Sequence, residues 1–97
     1  MDKIIKEFTC VPFLCTYNTE NYKIYAVNID EDKHQDLKKN KYGNYSILGN
    51  IHELAIGVSY QVKAEEQHSN TGYGYQYKVL SIKRDRPTNE ITTRMFL

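Results

Sequence analysis

The sequence has no tryptophan, little cysteine, proline and glycine, and no long apolar run. Its 97 residues include two cysteines, two prolines and five glycines. The charged N-terminus lacks the roughly 7 to 15 consecutive apolar residues of a signal peptide. Nothing later in the chain approaches the ~20 apolar residues of a transmembrane helix. We therefore expect a soluble, cytoplasmic protein without membrane contact.

Net charge is nearly absent as well. The chain has 13 Lys and Arg residues and 12 Asp and Glu residues, which gives a formal charge of +1. The chain has no overall basic field that would draw it to nucleic acid from a distance, so any such contact must be local. A chain of this length forms one domain, here residues 1–97, and has little spare volume for a deep catalytic pocket.

The motifs of the common catalytic and metal-binding classes are missing. No glycine-rich loop ends in Gly-Lys-Ser/Thr, so hydrolysis of ATP by that route is not expected. Cys10 and Cys15 match neither a redox pair nor a zinc half-site, and their spacing predicts opposite faces of a strand. His34, His52 and His68 fall in three separate predicted loops without the spacing of metal ligands. We predict no catalytic residue, metal ligand or cofactor in this chain.

The chain is rich in tyrosine, with nine residues. Short runs rich in Tyr, Val, Ile and Thr recur between clusters of turn formers, the pattern of a small barrel or sandwich. Pro12 interrupts the first run and indicates an edge or a bulge. The polar stretch 30–41 is predicted to be a solvated loop. The expected strands cover residues 4–17, 22–30, 43–49, 58–67 and 75–84.

Five strands with a long polar loop after the second predict an all-β protein, an antiparallel, partly open Greek-key barrel. Residues 85–90 break the sheet. Pro87 and Thr88, followed by Glu90, also fit the start of a helix. A short C-terminal helix or extension is therefore the alternative for the end of the chain.

Tyrosines and basic residues come together near the last predicted hairpin. Tyr73, Tyr75 and Tyr77 alternate there, and Tyr73 lies between glycines, where a buried role is less expected. Exposed aromatic rings stack on bases while Lys and Arg pair with phosphates, the way in which such barrels hold single strands. The competing interpretation places these alternating tyrosines in the core or the barrel wall. The basic candidates are Lys63, Lys78, Lys83, Arg84 and Arg86.

A series of short motifs follows residue 42 in an order that is similar to one known family. The motifs are Tyr45-Ser46-Ile47-Leu48-Gly49, Ile51 and Leu54 before Gly57, Tyr60, His68, Tyr73-Gly74-Tyr75-Gln76-Tyr77, Pro87-Thr88 and Phe96-Leu97. This order resembles the N-terminal oligonucleotide/oligosaccharide-binding (OB) domain of RecD-like ATP-dependent DNA helicases, the group related to the exodeoxyribonuclease V alpha subunit. The chain departs from the family at His52, where proline is usual, and at residues 69–72, which lengthen the hairpin.

The resemblance implies an accessory module at the N-terminus of a larger helicase. In that family helix-hairpin-helix and motor domains follow, and the motor carries ATP binding, magnesium and 5′ to 3′ unwinding. The leading expectation is a module that contacts single-stranded DNA, which the basic residues near 83–86 favour. The alternative is a module that docks on other helicase domains or on a partner protein, which the near-neutral charge favours. No motif supports an independent small enzyme.

Overall fold

A computed structural model describes residues 3–85 of the chain. This part is all-β and contains no helix. The strands confirm the expected five, and each end agrees within two residues. The predicted C-terminal helix or extension lies outside the described residues. The strands are β1 (Ile5–Asn18), β2 (Lys23–Ile29), β3 (Tyr45–Gly49), β4 (Tyr60–Ser69) and β5 (Gly74–Arg84).

The five strands form a closed barrel in the order β1-β2-β3-β5-β4. β1 closes it, because residues 5–10 pair with β4 while residues 10–18 pair with β2. The barrel was expected to be partly open and antiparallel. Both points were wrong, because the barrel is closed and β3 pairs with β5 in parallel. The chain crosses one end of the barrel after β3, so β5 returns beside β3 in the same direction. A closed five-stranded barrel of this order is consistent with a small OB-type fold.

Two irregularities in β1 decide which of its side chains face the core. The register with β2 shifts between Pro12 and Leu14, as the proline indicated, and again between Cys15 and Tyr17. An extra residue in a strand reverses the alternation of faces after it. Cys10, before the first shift, is buried in the core, and Cys15, after it, therefore also packs against the core. The prediction that the two cysteines face opposite sides was wrong because of the first bulge.

The barrel interior is filled by apolar side chains and by the rings of three tyrosines. Every buried tyrosine hydroxyl needs a partner, because an unpaired polar group away from water is costly. These partners are main-chain N–H groups of the two long connections. The core cluster consists of Phe8, Cys10, Tyr25, Val27, Leu37, Ile47, Ile51, Leu54, Tyr60, Val62, Ala64 and Tyr77.

The three hydroxyls fasten the connections to the barrel. Tyr25 accepts the N–H of Leu54 at 2.9 Å, and Tyr60 accepts the N–H of Ala55 at 2.8 Å. Tyr77 accepts the N–H of Lys38 at 2.9 Å and donates to Glu66 at 2.8 Å. The segment after β3 and the polar segment after β2 are thereby both held against the barrel interior.

The polar segment between β2 and β3 is less solvated than predicted. Its single apolar residue in the 30–41 stretch, Leu37, is buried in the core. Lys6 of β1 donates to Asp36 at 2.7 Å. With the bond to Tyr77, these contacts give the segment a fixed position, and residues 40 and 41 then join the start of β5 and the turn before it.

Candidate functional site

The site begins where two loops are joined by main-chain hydrogen bonds. Asn40 forms a bridge with Gly74 at the start of β5, and the Lys41 N–H donates to the Tyr73 carbonyl at 2.6 Å. The approach is close: a Cβ on Gly74 would lie 3.1 Å from the Lys41 nitrogen, and the glycine has a φ of +85°. Only glycine adopts that conformation without strain. The β2–β3 loop and the β4–β5 turn therefore form one joined rim.

The Asn40 side chain shapes the loop side of this rim. Its Oδ1 accepts the N–H of Tyr42 at 2.9 Å and the N–H of Asn44 at 3.0 Å. The Asn40 N–H in turn donates to the Asn44 carbonyl at 2.7 Å. An asparagine that bonds the backbone a few residues onward is a standard way to fix a tight turn. Tyr42 is consequently held at the tip of the loop.

Two exposed tyrosines meet on the rim. Tyr42 is 66% exposed and Tyr73 is 51% exposed. Their ring centroids are 5.7 Å apart, and the rings are inclined at 48°. This distance lies in the range of aromatic rings in direct contact. The two rings thus present one continuous aromatic surface to solvent.

β1 supplies a third tyrosine on the opposite side. The second bulge in β1 places Tyr17 against Ile24 of β2, on the outer face of the barrel. Tyr17 is 51% exposed and its ring packs edge-on against Tyr22, with centroids 6.1 Å apart. The floor between the two sides is formed by small residues, since Ala26 and Ser46 lie opposite each other on β2 and β3.

These elements enclose a cleft with a volume of about 260 Å³. We call it the tyrosine cleft. It lies on the outer face of β2 and β3, between the end of β1 on one side and the β2–β3 and β4–β5 connections on the other. The face of the second and third strands is the one by which OB barrels bind oligonucleotides and oligosaccharides. None of its lining residues is charged. They are Thr16, Tyr17, Ile24, Ala26, Asn40, Tyr42, Asn44, Ser46, Tyr73 and Gln76.

The basic residues predicted from the sequence lie elsewhere. Lys63 and Lys83 line a wider hollow of about 550 Å³ on the outside of β1, β4 and β5. Lys63 is opposite Glu7 in β1, and Lys78 is opposite Glu65 in β4. Facing charges of opposite sign reduce the positive potential that phosphate would meet. The structure brings Lys63 and Lys83 together, but on a surface of mixed charge.

The predicted site is also divided along β5. Arg84 is exposed at the end of the strand, opposite Tyr60, whereas Tyr73 precedes its first residue. The strand has 11 residues, so its ends lie roughly 30 Å apart along the chain at about 3.3 Å per residue. Tyr73 and the basic end of β5 are therefore separate surfaces. Arg86 lies outside the described residues.

The three alternating tyrosines of the last hairpin have three different environments. Tyr77 is buried, as the core interpretation predicted, and burial raises its pKa above the ordinary value. Tyr75 is half-buried on the side away from the cleft, where its ring packs on His68 with centroids 4.3 Å apart. The Lys38 Nζ lies 5.6 Å from the Tyr75 centroid. His68 itself belongs to β4 and not to a loop. Only Tyr73 lines the cleft.

Sequence reasoning missed Tyr17 and Tyr42. Tyr17 reaches the outer face only because of a bulge, and one sequence does not reveal where the register shifts. Tyr42 followed a polar stretch that was expected to be solvated. The signal that was present is the Asn40-Lys41-Tyr42-Gly43-Asn44 string, since Asn and Gly mark a tight turn with an aromatic residue at its tip.

No group of three or more His, Cys, Asp or Glu side chains is placed to hold a metal ion within residues 3–85. In the same part of the chain, no helix is long and apolar enough to cross a membrane. Neither a comparison with models of known protein families nor one with curated proteins finds a match. Neither comparison therefore links the chain to RecD-like helicases, and the resemblance drawn from the order of sequence motifs stays a prediction.

Proposed function

We propose that this domain is an accessory module that contacts single-stranded DNA through the tyrosine cleft, within a RecD-like helicase. The observation that carries the proposal is the convergence of Tyr17, Tyr42 and Tyr73 on one uncharged cleft. They come from three different connections or strands. A large exposed aromatic surface on a small domain is a feature of interaction sites and not of packing.

Stacking is the chemistry that this surface supports best. Every base has a flat apolar face, and a base on an aromatic ring contributes about 1–3 kcal/mol to single-strand binding. The hydroxyl end of a tyrosine stays in water while the ring receives the base. Tyr42 and Tyr73 offer one stacking surface, and Tyr17 offers a second across the cleft.

The charges near the cleft are few, so the contribution of phosphate contacts to DNA affinity is local and small. Lys41 follows Asn40 in the rim and is exposed beside the cleft. Each phosphate contact to a single strand changes the logarithm of affinity by about 0.7 per decade of salt. With a formal charge of +1 on the whole chain, attraction over distance is weak, so stacking supplies most of the affinity.

The chain's own residues carry no reaction in this proposal. The similarity to RecD-like helicases implies a motor elsewhere in the parent protein that binds ATP and magnesium. This sequence has no loop of the type that cradles phosphates in such motors. The module's part is to hold a stretch of unpaired DNA, and the motor performs the unwinding.

The test is fluorescence anisotropy of a labelled single-stranded oligonucleotide at low salt. Tyr73→Ala and Tyr42→Ala should each weaken binding about 5- to 150-fold, which corresponds to loss of one stacked base. Phe13→Ala is the matched control, because Phe13 is an exposed aromatic residue that does not line the cleft. Circular dichroism checks that every variant is folded. Equal binding by all three folded variants would exclude the tyrosine cleft as the contact.

A docking module is the second candidate, and exposed apolar side chains support it. Leu14 of β1 is 52% exposed, and Ile56 of the segment after β3 is 55% exposed. Such residues are ordinary when scattered but serve a partner protein or another domain when they are contiguous. If the wild-type domain binds no oligonucleotide at low salt, the DNA contact is excluded and docking becomes the leading candidate.

A further inference from the structure

We propose that Asn40 is the positioning residue of the tyrosine cleft: it holds Tyr42 against Tyr73 before the DNA arrives, so that the two rings act as one stacking surface. The inference rests on the proposed function. It concerns a residue that acts through Tyr42 and not through a contact of its own with DNA. An aromatic side chain on a mobile loop must be ordered when a base binds, and this ordering reduces the affinity.

Tyr42 lies at a part of the loop whose sequence favours movement. Its side chain is 66% exposed, and its chain neighbours Lys41 and Gly43 are exposed as well. Gly43 has a φ of +83°, and glycine loses more conformational freedom on ordering than any other residue. The tip of the loop therefore needs contacts from elsewhere to keep the Tyr42 ring beside Tyr73.

Asn40 provides these contacts from the start of the turn. Its Oδ1 accepts two main-chain N–H groups, from Tyr42 at 2.9 Å and from Asn44 at 3.0 Å. Its own N–H donates to the Asn44 carbonyl at 2.7 Å, and its carbonyl accepts the N–H of Gly43 at 3.0 Å. The side-chain bonds fix the main chain on both sides of the glycine. Each of the hydrogen bonds that close this turn involves Asn40.

The main chain of Asn40 joins this turn to the segment that carries the other tyrosine. Asn40 forms a bridge with Gly74, and the N–H of the next residue, Lys41, donates to the Tyr73 carbonyl at 2.6 Å. The rings of Tyr42 and Tyr73 then lie with their centroids 5.7 Å apart. Replacing the Asn40 side chain leaves the main-chain bonds to residues 73 and 74 possible. The substitution therefore releases Tyr42 and leaves Tyr73 in place.

The base of the loop is anchored without the Asn40 side chain. Leu37 is buried in the core, and the N–H of Lys38 donates to the Tyr77 hydroxyl at 2.9 Å. Asn40 itself is half-buried and does not belong to the core cluster. Loop tips open at a much lower free energy than the whole domain. We therefore expect Asn40→Ala to loosen the turn while the barrel stays folded.

The experiment is a double-mutant cycle in the affinity for labelled oligo(dT) of about eight nucleotides, a length within the site size of an OB barrel. Asn40→Ala should weaken binding about 2- to 12-fold, the cost of ordering one side chain on binding. In a Tyr42→Ala background the same substitution should change the affinity by no more than about 2-fold, because the residue through which Asn40 acts is gone. Asn70→Ala is the matched control, since Asn70 is exposed in the β4–β5 turn and does not line the cleft.

Asn40 also lines the cleft, so two further variants separate positioning from direct contact with DNA. Asn40→Asp keeps an oxygen that accepts both N–H groups. It should retain slow amide exchange at Tyr42 and Asn44 and bind like the wild type in high salt, where its added charge is screened. Gly43→Ala strains the same turn from a residue that does not line the cleft, since its φ is left-handed and a Cβ there meets no atom within 4 Å. It should weaken binding as Asn40→Ala does.

The outcomes separate the inference from the proposed function. Equal weakening by Asn40→Ala with and without Tyr42 overturns the inference, because Asn40 then acts on DNA by another route, while the DNA contact stands. Unchanged binding by folded Asn40→Ala, with unchanged exchange of the Tyr42 and Asn44 amides, also overturns it. If Asn40→Ala does not fold, Gly43→Ala takes its place in the cycle. If the wild-type domain binds no oligonucleotide at low salt, the proposed function fails and the inference fails with it.

Discussion

Removing the hydroxyl of Tyr25 tests whether the buried tyrosines hold the connections of this barrel in place. The side chain is 1% exposed and its hydroxyl accepts the N–H of Leu54 at 2.9 Å. Tyr25→Phe leaves that buried donor without a partner. The cost of an unsatisfied buried group is about 1–3 kcal/mol, and the ring itself is unchanged. We expect a loss of this size in the free energy of unfolding.

The loss is large enough to measure in a domain of this length. Each kcal/mol lowers the melting temperature by about 4–8 °C in small domains. Urea titration should show a lower midpoint with an unchanged slope, because the surface exposed on unfolding stays the same. Amide exchange provides a local measurement, since the Leu54 N–H should exchange faster in the variant than in the wild type.

Tyr22→Phe is the matched control for this substitution. Tyr22 is 38% exposed, so its side chain lies at the surface and not in the core. Changes at exposed positions are usually within about 0.5 kcal/mol. If Tyr25→Phe costs no more than Tyr22→Phe, and the Leu54 amide keeps its protection, the hydroxyl does not hold the connection and the reasoning is refuted.

Two further predictions concern titratable groups. The hydrogen bond from Lys6 lowers the pKa of Asp36, so the pair contributes stability above the ordinary carboxyl value of 3.8 and loses it as pH falls through the lowered value. The difference in unfolding free energy between wild type and Asp36→Asn should therefore shrink in acid; a constant difference in urea titrations across this range would contradict it. Burial raises the pKa of the Cys10 thiol to about 12, so a thiol reagent should label the half-buried Cys15 first and Cys10 only after unfolding. Equal labelling rates in the native protein would show that Cys10 is accessible.

The number and extent of the strands were predictable because local signals agreed. In β4 the alternation of Tyr60, Val62 and Ala64 with polar residues matches the pleat of a strand, and all three are buried. Turn residues marked each boundary. What the sequence could not show was the direction of the β3–β5 pair, which depends on how the chain crosses the barrel end. Such long-range choices leave no periodic signal in either strand.

The candidate site was less predictable for the same physical reason. Tyr73 was identified because its own neighbours, Gly72 and Gly74, mark an exposed turn. Tyr17 depends on a bulge, and the role of Tyr42 depends on a bridge between Asn40 and a residue more than 30 positions away in the sequence. A site assembled from one strand and two connections cannot be predicted from any one of them. Its members become recognisable only when the barrel order is known.

Because the tyrosine cleft and the basic end of β5 are separate surfaces, the salt dependence of DNA affinity indicates whether the DNA contacts one of them or both. A DNA strand held in the cleft alone meets Lys41, and a plot of its log affinity against log salt should have a slope near 0.7. A DNA strand that also runs along the barrel to Lys83 and Arg84 must cover roughly 30 Å. It gains at least two phosphate contacts, which raises the expected slope to about 2. The mixed charges around Lys63 and Lys78 oppose the longer path. The slope measured for the wild-type domain therefore reports how far the nucleic acid extends from the cleft.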